Sequence, residues 1–340
     1  MSRPTADAPM DFVFVIDEIS TLLPGHDTSV ALMEAAQLRG HRVLVTTAPG
    51  LEYRNGTAMA PCTPVQLRPA VLHEHRWVTD PQWYTAGEPL DYRLSDASVL
   101  FMRVDPPVDD AYLRATFLLD LVDRSQTLVV NSPSGLREAN EKLFGLQVDG
   151  LMPPTVVTAD RGHIRETVEQ WGRAVLKPTN CMAGRGILIL DPDDPNLASL
   201  LDNATERGTV QVVVQQWVER VHEGDRRVIV LDGQPIGVVR RVAQPGDFRC
   251  NMATGAAAVA DTVTDADLSL CDRLAPYLRL HGLTLVGLDV IGDWVTEINV
   301  TSPTGVREID ALSGSHLSNS IIEWAESNCP RTSKKKETTQ

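Results

Sequence analysis

The chain has 340 residues, 43% of them apolar, and a formal net charge of −14, which suits one enzyme of two or three packed lobes around a sizeable core. That charge argues against a general nucleic-acid binder, whose surface must be basic. No apolar run approaches the roughly eighteen residues of a membrane span, so no membrane partner is expected.

The N-terminal stretch lacks the apolar core of a signal peptide. Five cysteines occur without a CxxC pair, which favours reduced thiols over a disulfide framework or zinc site. A cytoplasmic location is the expectation. Small anionic substrates stay compatible with the acidic balance, because a local cluster of Arg and Lys can oppose the global sign.

Phe12–Ile16, FVFVI, reads as a buried parallel strand. Asp27 and Ser29 can cap a following helix that ends at Gly40, and His41–Thr46 resumes as a strand. Val99–Met102 is a third strand, with Arg103 and Asp105 at its end. The spacing then predicts a helix over about Asp109 to Asp123 with Leu113, Phe117, Leu118 and Leu121 on one face. Leu128–Asn131 is a further strand. Strand and helix alternating in this way predict a doubly wound parallel sheet, whose ligands lie beyond the C-terminal strand ends.

From Asn140 the pattern changes to α+β. Lys142 falls at the start of a predicted helix. Ala174–Leu176, Ile187–Leu190, Val210–Gln216 and Arg227–Leu231 read as strands, and Asp232-Gly233 as a hairpin turn. The last helix is expected over Ser315–Glu326, followed by a polar, disordered tail from Cys329.

The richest stretch is Val286–Arg307, VGLDVIGDWVTEINVTSPTGVR. Read as a hairpin turning at Ile291–Asp293, it sets Glu297 and Asn299 on one face with Asp289. Two carboxylates and an amide oxygen are hard ligands suited to Mg²⁺. Lys177 stands at a strand end; alone, it and Lys142 each read as surface charge, but beside an acidic metal face they make a phosphate clamp. Asn180–Gly186 is a Gly-bearing loop that can cover phosphates. Gln215, Gln216, Trp217 and Val218 lie where backbone groups can meet a base, with Trp217 packed inside on the alternative reading. Arg226, Arg227, Arg240, Arg241 and Arg249 crowd one region. Of these, Arg227 and Arg249, with Asn251, are the candidates for holding a reacting acyl phosphate.

In this order the segments resemble bacterial glutathione synthetase, of the ATP-grasp superfamily, from about Phe12 to Glu326. The specific pieces are Met102-Arg103 with Asp105-Pro106-Pro107, Asn140–Phe144, Gly224–Val228 and, above all, Val286–Pro303. The resemblance implies an N-terminal domain (1–135), an ATP-grasp lid subdomain (136–216), a C-terminal subdomain with the metal site (217–328) and a tail (329–340). It implies an enzyme that uses ATP and Mg²⁺, or Mn²⁺ in its place, to join γ-glutamylcysteine to glycine through an acyl phosphate, as a homo-oligomer. Carried over, Lys142, Lys177, Gln215–Val218 and Asp225 bind ATP, Asp289, Glu297 and Asn299 bind metal, and Arg227, Arg249 and Asn251 line the reaction centre.

The chain departs from that pattern in its substrate-facing loops. Thr179–Gly186 replaces an acidic residue and a Gly-Met-Gly-Gly loop, Cys250 replaces a glycine, and Val104 and Ser132 stand where the family has lysines. A ligase for another amino acid or peptide pair in a specialised pathway is therefore an alternative, and a nucleotide-binding protein without catalysis is another. A dehydrogenase is not, because no GxGxxG follows the first strand.

Overall fold

A computed structural model describes residues 9–181, 184–252 and 255–330. The chain divides into two compact units. One takes the chain through Glu138, Tyr277–Val286 and the chain from Val300 onward; the other takes Ala139–Pro276 and Gly287–Asn299.

The first unit is built on a mixed eight-stranded sheet. Leu128–Val130, Val99–Met102, Asp11–Val15 and Arg42–Thr46 are adjacent and parallel, as the alternation predicts. Thr57–Leu67 joins antiparallel to Arg42–Thr46 and carries three more short strands, an extension the sequence did not announce. The two central parallel strands are apolar on both faces and buried over Phe12–Val15 and Val99–Met102; Phe14 and Phe101 stack at 5.2 Å. Helix Thr28–Leu38 closes at Gly40, but the Asp27 carboxylate accepts from the Leu23 N–H instead of capping it.

The second long helix corrects the predicted face. It runs Asp110–Leu119, capped by Asp109, and buries Tyr112, Ala115, Thr116 and Leu119, while Phe117 is 58% exposed. Two faces share the helical spacing, and the small residues mark the one that approaches its neighbours. Arg137 compensates by lying over the Phe117 ring at 4.3 Å.

Asn131 pins this unit together. It is buried, its Oδ1 accepts from Thr284 and Leu285 N–H, and its Nδ2 donates to the Leu285 and Val300 carbonyls, each at 2.8 Å. Arg103, at the end of Val99–Met102, is buried with its Nε on Ser29 and Nη2 on the Pro303 carbonyl. Burial lowers its pKa to about 10. Helix Val306–Ser313 was not predicted, and the last helix runs Leu317–Asn328. Cys329, expected to open a disordered tail, is buried with its thiol against the Ser98 carbonyl. The tail from 331 lies outside the described residues.

The second unit holds two antiparallel sheets. One has the order Thr155–Thr158, Val212–Gln216, Ala174–Pro178, Leu188–Leu190. Helices Arg161–Trp171 and Leu197–Ala204 cover it, burying Ile164, Val168, Leu176, Leu201 and Val214. The other has the order Ala257–Ala260, Gln234–Val242, Asp225–Leu231, Leu285–Ile291, Trp294–Asn299. Lys142 does not start a helix: helix Pro133–Glu138 has ended, and Lys142 sits in a turn before the 3-10 segment Phe144–Gln147.

Both hairpins of this sheet turn on two residues and carry a one-residue bulge. Asp232-Gly233 takes positive φ at both positions (50° and 80°), the geometry for which glycine is suited. Between Ile229 and Val230 the register slips by one, so that Asp225 faces Arg241. Between Asp289 and Val290 it slips again, and Asp289 faces Glu297 with Thr296 as the extra residue.

Replacing Asn131 with Ala removes four hydrogen bonds, two of them from backbone N–H groups, one buried and one partly buried, and should cost about 3–5 kcal/mol. Urea midpoints measure this; a shift worth under about 1 kcal/mol would deny Asn131 that role.

Candidate active site

The two sheets of the second unit flank an open cleft of about 670 Å³, solvent included. Of the sequence-predicted residues it is lined by Lys177, Gln215, Gln216, Trp217, Val218, Asp225, Arg249, Asn251, Asp289 and Glu297. Lys142, Arg227 and Asn299 are not in its wall; Lys142 and Arg227 each pair with a carboxylate of the wall, Glu297 and Asp289.

Asp289 and Glu297 face each other across the hairpin. Asn299 lies two residues further along the same strand face, and its Nδ2 donates to the Gly287 carbonyl at 3.2 Å, leaving Oδ1 as its ligand-type atom. Lys142 Nζ lies 3.0 Å from Glu297 Oε1 and donates to the Cys181 carbonyl at 2.5 Å. Lys177 Nζ donates to the carbonyl of Thr296, the bulged residue, at 3.1 Å. Burial lowers the Lys177 pKa, against the pull of Glu297.

Behind the cleft wall runs a chain of alternating charges. Arg227 grips Asp289 with Nε at 2.6 Å and Nη2 at 3.2 Å. Arg241 reaches Asp289 at 3.0 Å and holds Asp225 through two bonds of 2.6 and 2.5 Å. Burial would raise the Asp289 pKa, but the two guanidiniums hold it well below the carboxylate range. At Asp225 the balance goes the other way: burial, with help from the Asp289 charge, pushes it up to about 6 despite Arg241.

Arg241 is a site residue that the sequence reading named only as one of a cluster. The register from the Asp232-Gly233 turn would be the signal, but counted without the bulge it pairs Asp225 with Arg240. Arg226 and Arg240 point to the other face: Arg226 binds Asp267 and Asp261, and Arg240 also meets Asp261.

At the far end of the cleft, the Gln215 side chain turns into the sheet, donating to Thr155 Oγ1 at 3.2 Å. Gln216 and Trp217 give their N–H groups to the Pro154 and Arg173 carbonyls. The Trp217 ring packs against Phe248 (centroids 6.1 Å) and under the Arg173 guanidinium (5.6 Å). Arg249 does not reach the acidic pair; it is 37% exposed and bound to Asp247, with Nη2 at 2.8 Å. Cys250 is buried in the cleft wall, where desolvation raises its thiol pKa. Gly184, at φ +74°, comes so close that a Cβ there would meet Asn251 Oδ1 at 2.8 Å. The loop therefore lies against the Arg249–Asn251 segment. Met182 and Ala183 of that loop lie outside the described residues.

The donor set fits a divalent cation. Among the described residues no three His, Cys, Asp or Glu side chains form a metal cluster. A two-carboxylate site completed by an amide oxygen and ligand phosphates is what Mg²⁺ accepts. Four cations (Lys142, Lys177, Arg227, Arg241) face three carboxylates (Asp225, Asp289, Glu297) here, so the site keeps surplus positive charge for an anionic ligand.

Two antiparallel sheets gripping a cleft lined by lysine and an acidic hairpin define an ATP-grasp ligase. Solved structures of that architecture are similar in fold: D-cycloserine synthetase DcsG (TM-score 0.60, 15% identity, 93% of this chain and 99% of that one) and the ATP-grasp ligase PsnB with its minimal precursor (TM-score 0.59, 18% identity, 93% and 98%). The profiles of the prokaryotic glutathione synthetase N-terminal and ATP-grasp domains match residues 10–137 and 141–314. Glutathione synthetase of Thermosynechococcus vestitus is 50% identical over 93% of this chain and 99% of its own length. That of Synechocystis sp. is 47% identical over 93% and 99%.

The chain belongs to the prokaryotic glutathione synthetase family. It is an ATP-dependent ligase that forms an amide bond, with use of a divalent metal ion and small-molecule substrates. No helix among the described residues is long and apolar enough to cross a membrane.

Asp225 gives a pH signature. A carboxyl raised from about 3.9 to about 6 on folding contributes stability below the lower value and loses it as pH rises through the upper one. Asp225→Asn should therefore gain stability relative to the parent between pH about 4 and about 6.5. Urea titrations across that range test this; a difference flat with pH rejects the assignment.

Proposed function

We propose that this ligase joins γ-glutamylcysteine to glycine. The observation that carries the reading is the pairing of Asp289 with Glu297 in a cleft wall beside Lys177, with Lys142 behind it, in a chain half identical to a glutathione synthetase.

In the proposed reaction the donor carboxylate oxygen attacks the γ-phosphorus of ATP and ADP leaves. The glycine amine then attacks the acyl carbon, the C–O bond to phosphate breaks, and phosphate departs as the amine loses a proton. Oxide is too poor a leaving group for direct amide formation, which is why phosphorylation must come first. Lys142 and Lys177 would hold ATP phosphates, and Gln215–Val218 would bind the base with Asp225 nearby. Arg227 would fix Asp289, while Arg249 and Asn251 would hold the acyl phosphate. Bound Mg²⁺, or Mn²⁺ in its place, on Asp289, Glu297 and Asn299 would neutralise phosphate charge. Residues 136–216 would act as a lid over 217–328. The two-sheet layout of the second unit supports that division. A cytoplasmic homo-oligomer completes the reading; five cysteines outside any disulfide support a reducing compartment.

A different donor and amine pair is the second reading. The buried Cys250 thiol in the cleft wall between Arg249 and Asn251 favours it, because side-chain bulk there narrows what the reaction centre accepts. Phosphate release with γ-glutamylcysteine and glycine decides. Background turnover with that pair and robust turnover with another would select the second reading. ATP binding without turnover on any pair would select a non-catalytic protein.

Glu297→Gln should lower kcat by about 100-fold or more with an unchanged far-UV spectrum. Full activity with the parent's metal dependence would refute the metal face. Arg249→Ala should lower kcat by about 100-fold while moving ATP affinity by less than about threefold, measured by calorimetry beside steady-state rates. An unchanged rate would remove Arg249 from the reaction centre.

A further inference from the structure

Helix Asp110–Leu119 has two apolar faces, and its own unit uses one of them. Tyr112, Ala115, Thr116 and Leu119 are buried. The other face carries Leu113, Phe117 and, in the turn that follows the helix, Leu121. These residues are four apart, so they form one row on the helix surface. Leu113 is half-buried, but Phe117 is 58% and Leu121 50% exposed. Arg137 lies over the Phe117 ring, and the ring still stands more than half in water. Scattered apolar residues are ordinary on a surface, whereas a row of them rimmed by charge marks a contact.

The ends of the chain do not match this row. Residues 1–8 and 331–340 read MSRPTADA and RTSKKKETTQ, with Met1 the one large apolar side chain between them. Charge points to a second copy instead. At −14 each, two copies repel over most of their surface and can meet where charge is locally balanced. The row is such a place. Asp109, Asp110 and Arg114 lie at its start and leave one anion in surplus, while Asp120, Arg124 and Arg137 lie at its end and leave one cation in surplus. Asp123 takes no part in that rim, because its carboxylate accepts from the Ser125 N–H and Gln126 Nε2.

This order of charges is self-complementary when two such helices run antiparallel. A two-fold axis at Phe117 sets the ring on its own copy and Leu113 on Leu121 of the other chain. It also sets the acidic start of each helix beside the basic end of the other, Asp110 near Arg124. A patch that fits itself under a two-fold rotation makes a closed, isologous contact.

We propose that this face of helix Asp110–Leu119 is the contact between two copies of the chain, packed antiparallel about Phe117. The proposal rests on the homo-oligomer read above and does not depend on the choice of substrates.

Two readouts test it in the full chain. The first is mass by sedimentation velocity at micromolar concentration. Phe117→Asp puts a charge at the axis from both copies and should raise the dissociation constant of this contact about 100-fold or more, so that the mass halves. Leu121→Asp should do the same, and stands in for Phe117→Asp if that variant does not keep the parent's far-UV spectrum. A parent that sediments as a monomer overturns the homo-oligomer and this surface together. An oligomeric parent with Phe117→Asp at the same mass overturns the surface alone.

The second readout is cross-linking under diamide, which takes up the two electrons and two protons that a pair of thiols loses. Phe117→Cys lies on the axis and should link two copies readily. Arg114→Cys should not, because antiparallel packing sets its two copies about 9 Å apart along the helix axis, beyond the reach of a disulfide. The parent, whose cysteines are buried apart from the half-buried Cys181, is the control. No link through Phe117→Cys beyond that of the parent, or equally fast linking through Arg114→Cys, overturns the packing.

Discussion

The second unit depends on keeping an ionised carboxylate where water scarcely reaches. Asp289 is 4% exposed, and a buried carboxylate without compensation would take up a proton and lose its use as a ligand. Two guanidiniums prevent that, one from each neighbouring strand of a hairpin. The second of them is shared with Asp225, whose pKa rises because burial, helped by the Asp289 charge, outweighs the pull of Arg241. The alternating row Arg227, Asp289, Arg241, Asp225 is thus one electrostatic object. None of its members can be neutralised without shifting the others.

The row is set by β-sheet geometry. Side chains alternate with period two, so a one-residue slip sends a strand's set to the opposite face. Both hairpins place such a slip between the turn and the charged residues. In each, the slip brings an acid opposite the partner it needs: Arg241 for Asp225, and Glu297 for Asp289. The second bulge does a further job. Thr296 becomes the extra residue, and its carbonyl takes the ammonium of Lys177. Both devices lie where the sheet meets the cleft, as bulges often do beside functional sites.

The charge arrangement also explains how an acidic chain handles an anionic ligand. Its net charge is −14, yet the cleft and the layer behind it carry more cations than carboxylates. Low-dielectric walls let that local surplus dominate the potential felt by phosphates. The N-terminal unit shows a milder version of the same rule, with Arg103 desolvated and held by a hydroxyl and a carbonyl instead of a paired acid.

The sequence by itself determined the parallel strands of the first unit, the two hairpin turns, and the placing of Asp289 and Glu297 on the two strands of one hairpin. Local signals suffice for these: apolar runs, Asp-Gly and Gly-Asp turns, and period-two alternation. The helix face at Asp110–Leu119 was misread because Ala115 and Thr116 carry no hydrophobic signal, although their small size is what permits close packing. Lys142 was set on a helix that has already ended. Only tertiary structure decided that Arg241 belongs with Asp225 and Asp289, that Arg249 rests on Asp247, and that Cys329 is buried. Registers after a bulge, ion-pair choice among five arginines, and burial of a terminal segment are all settled by distant neighbours. No window of local sequence contains them.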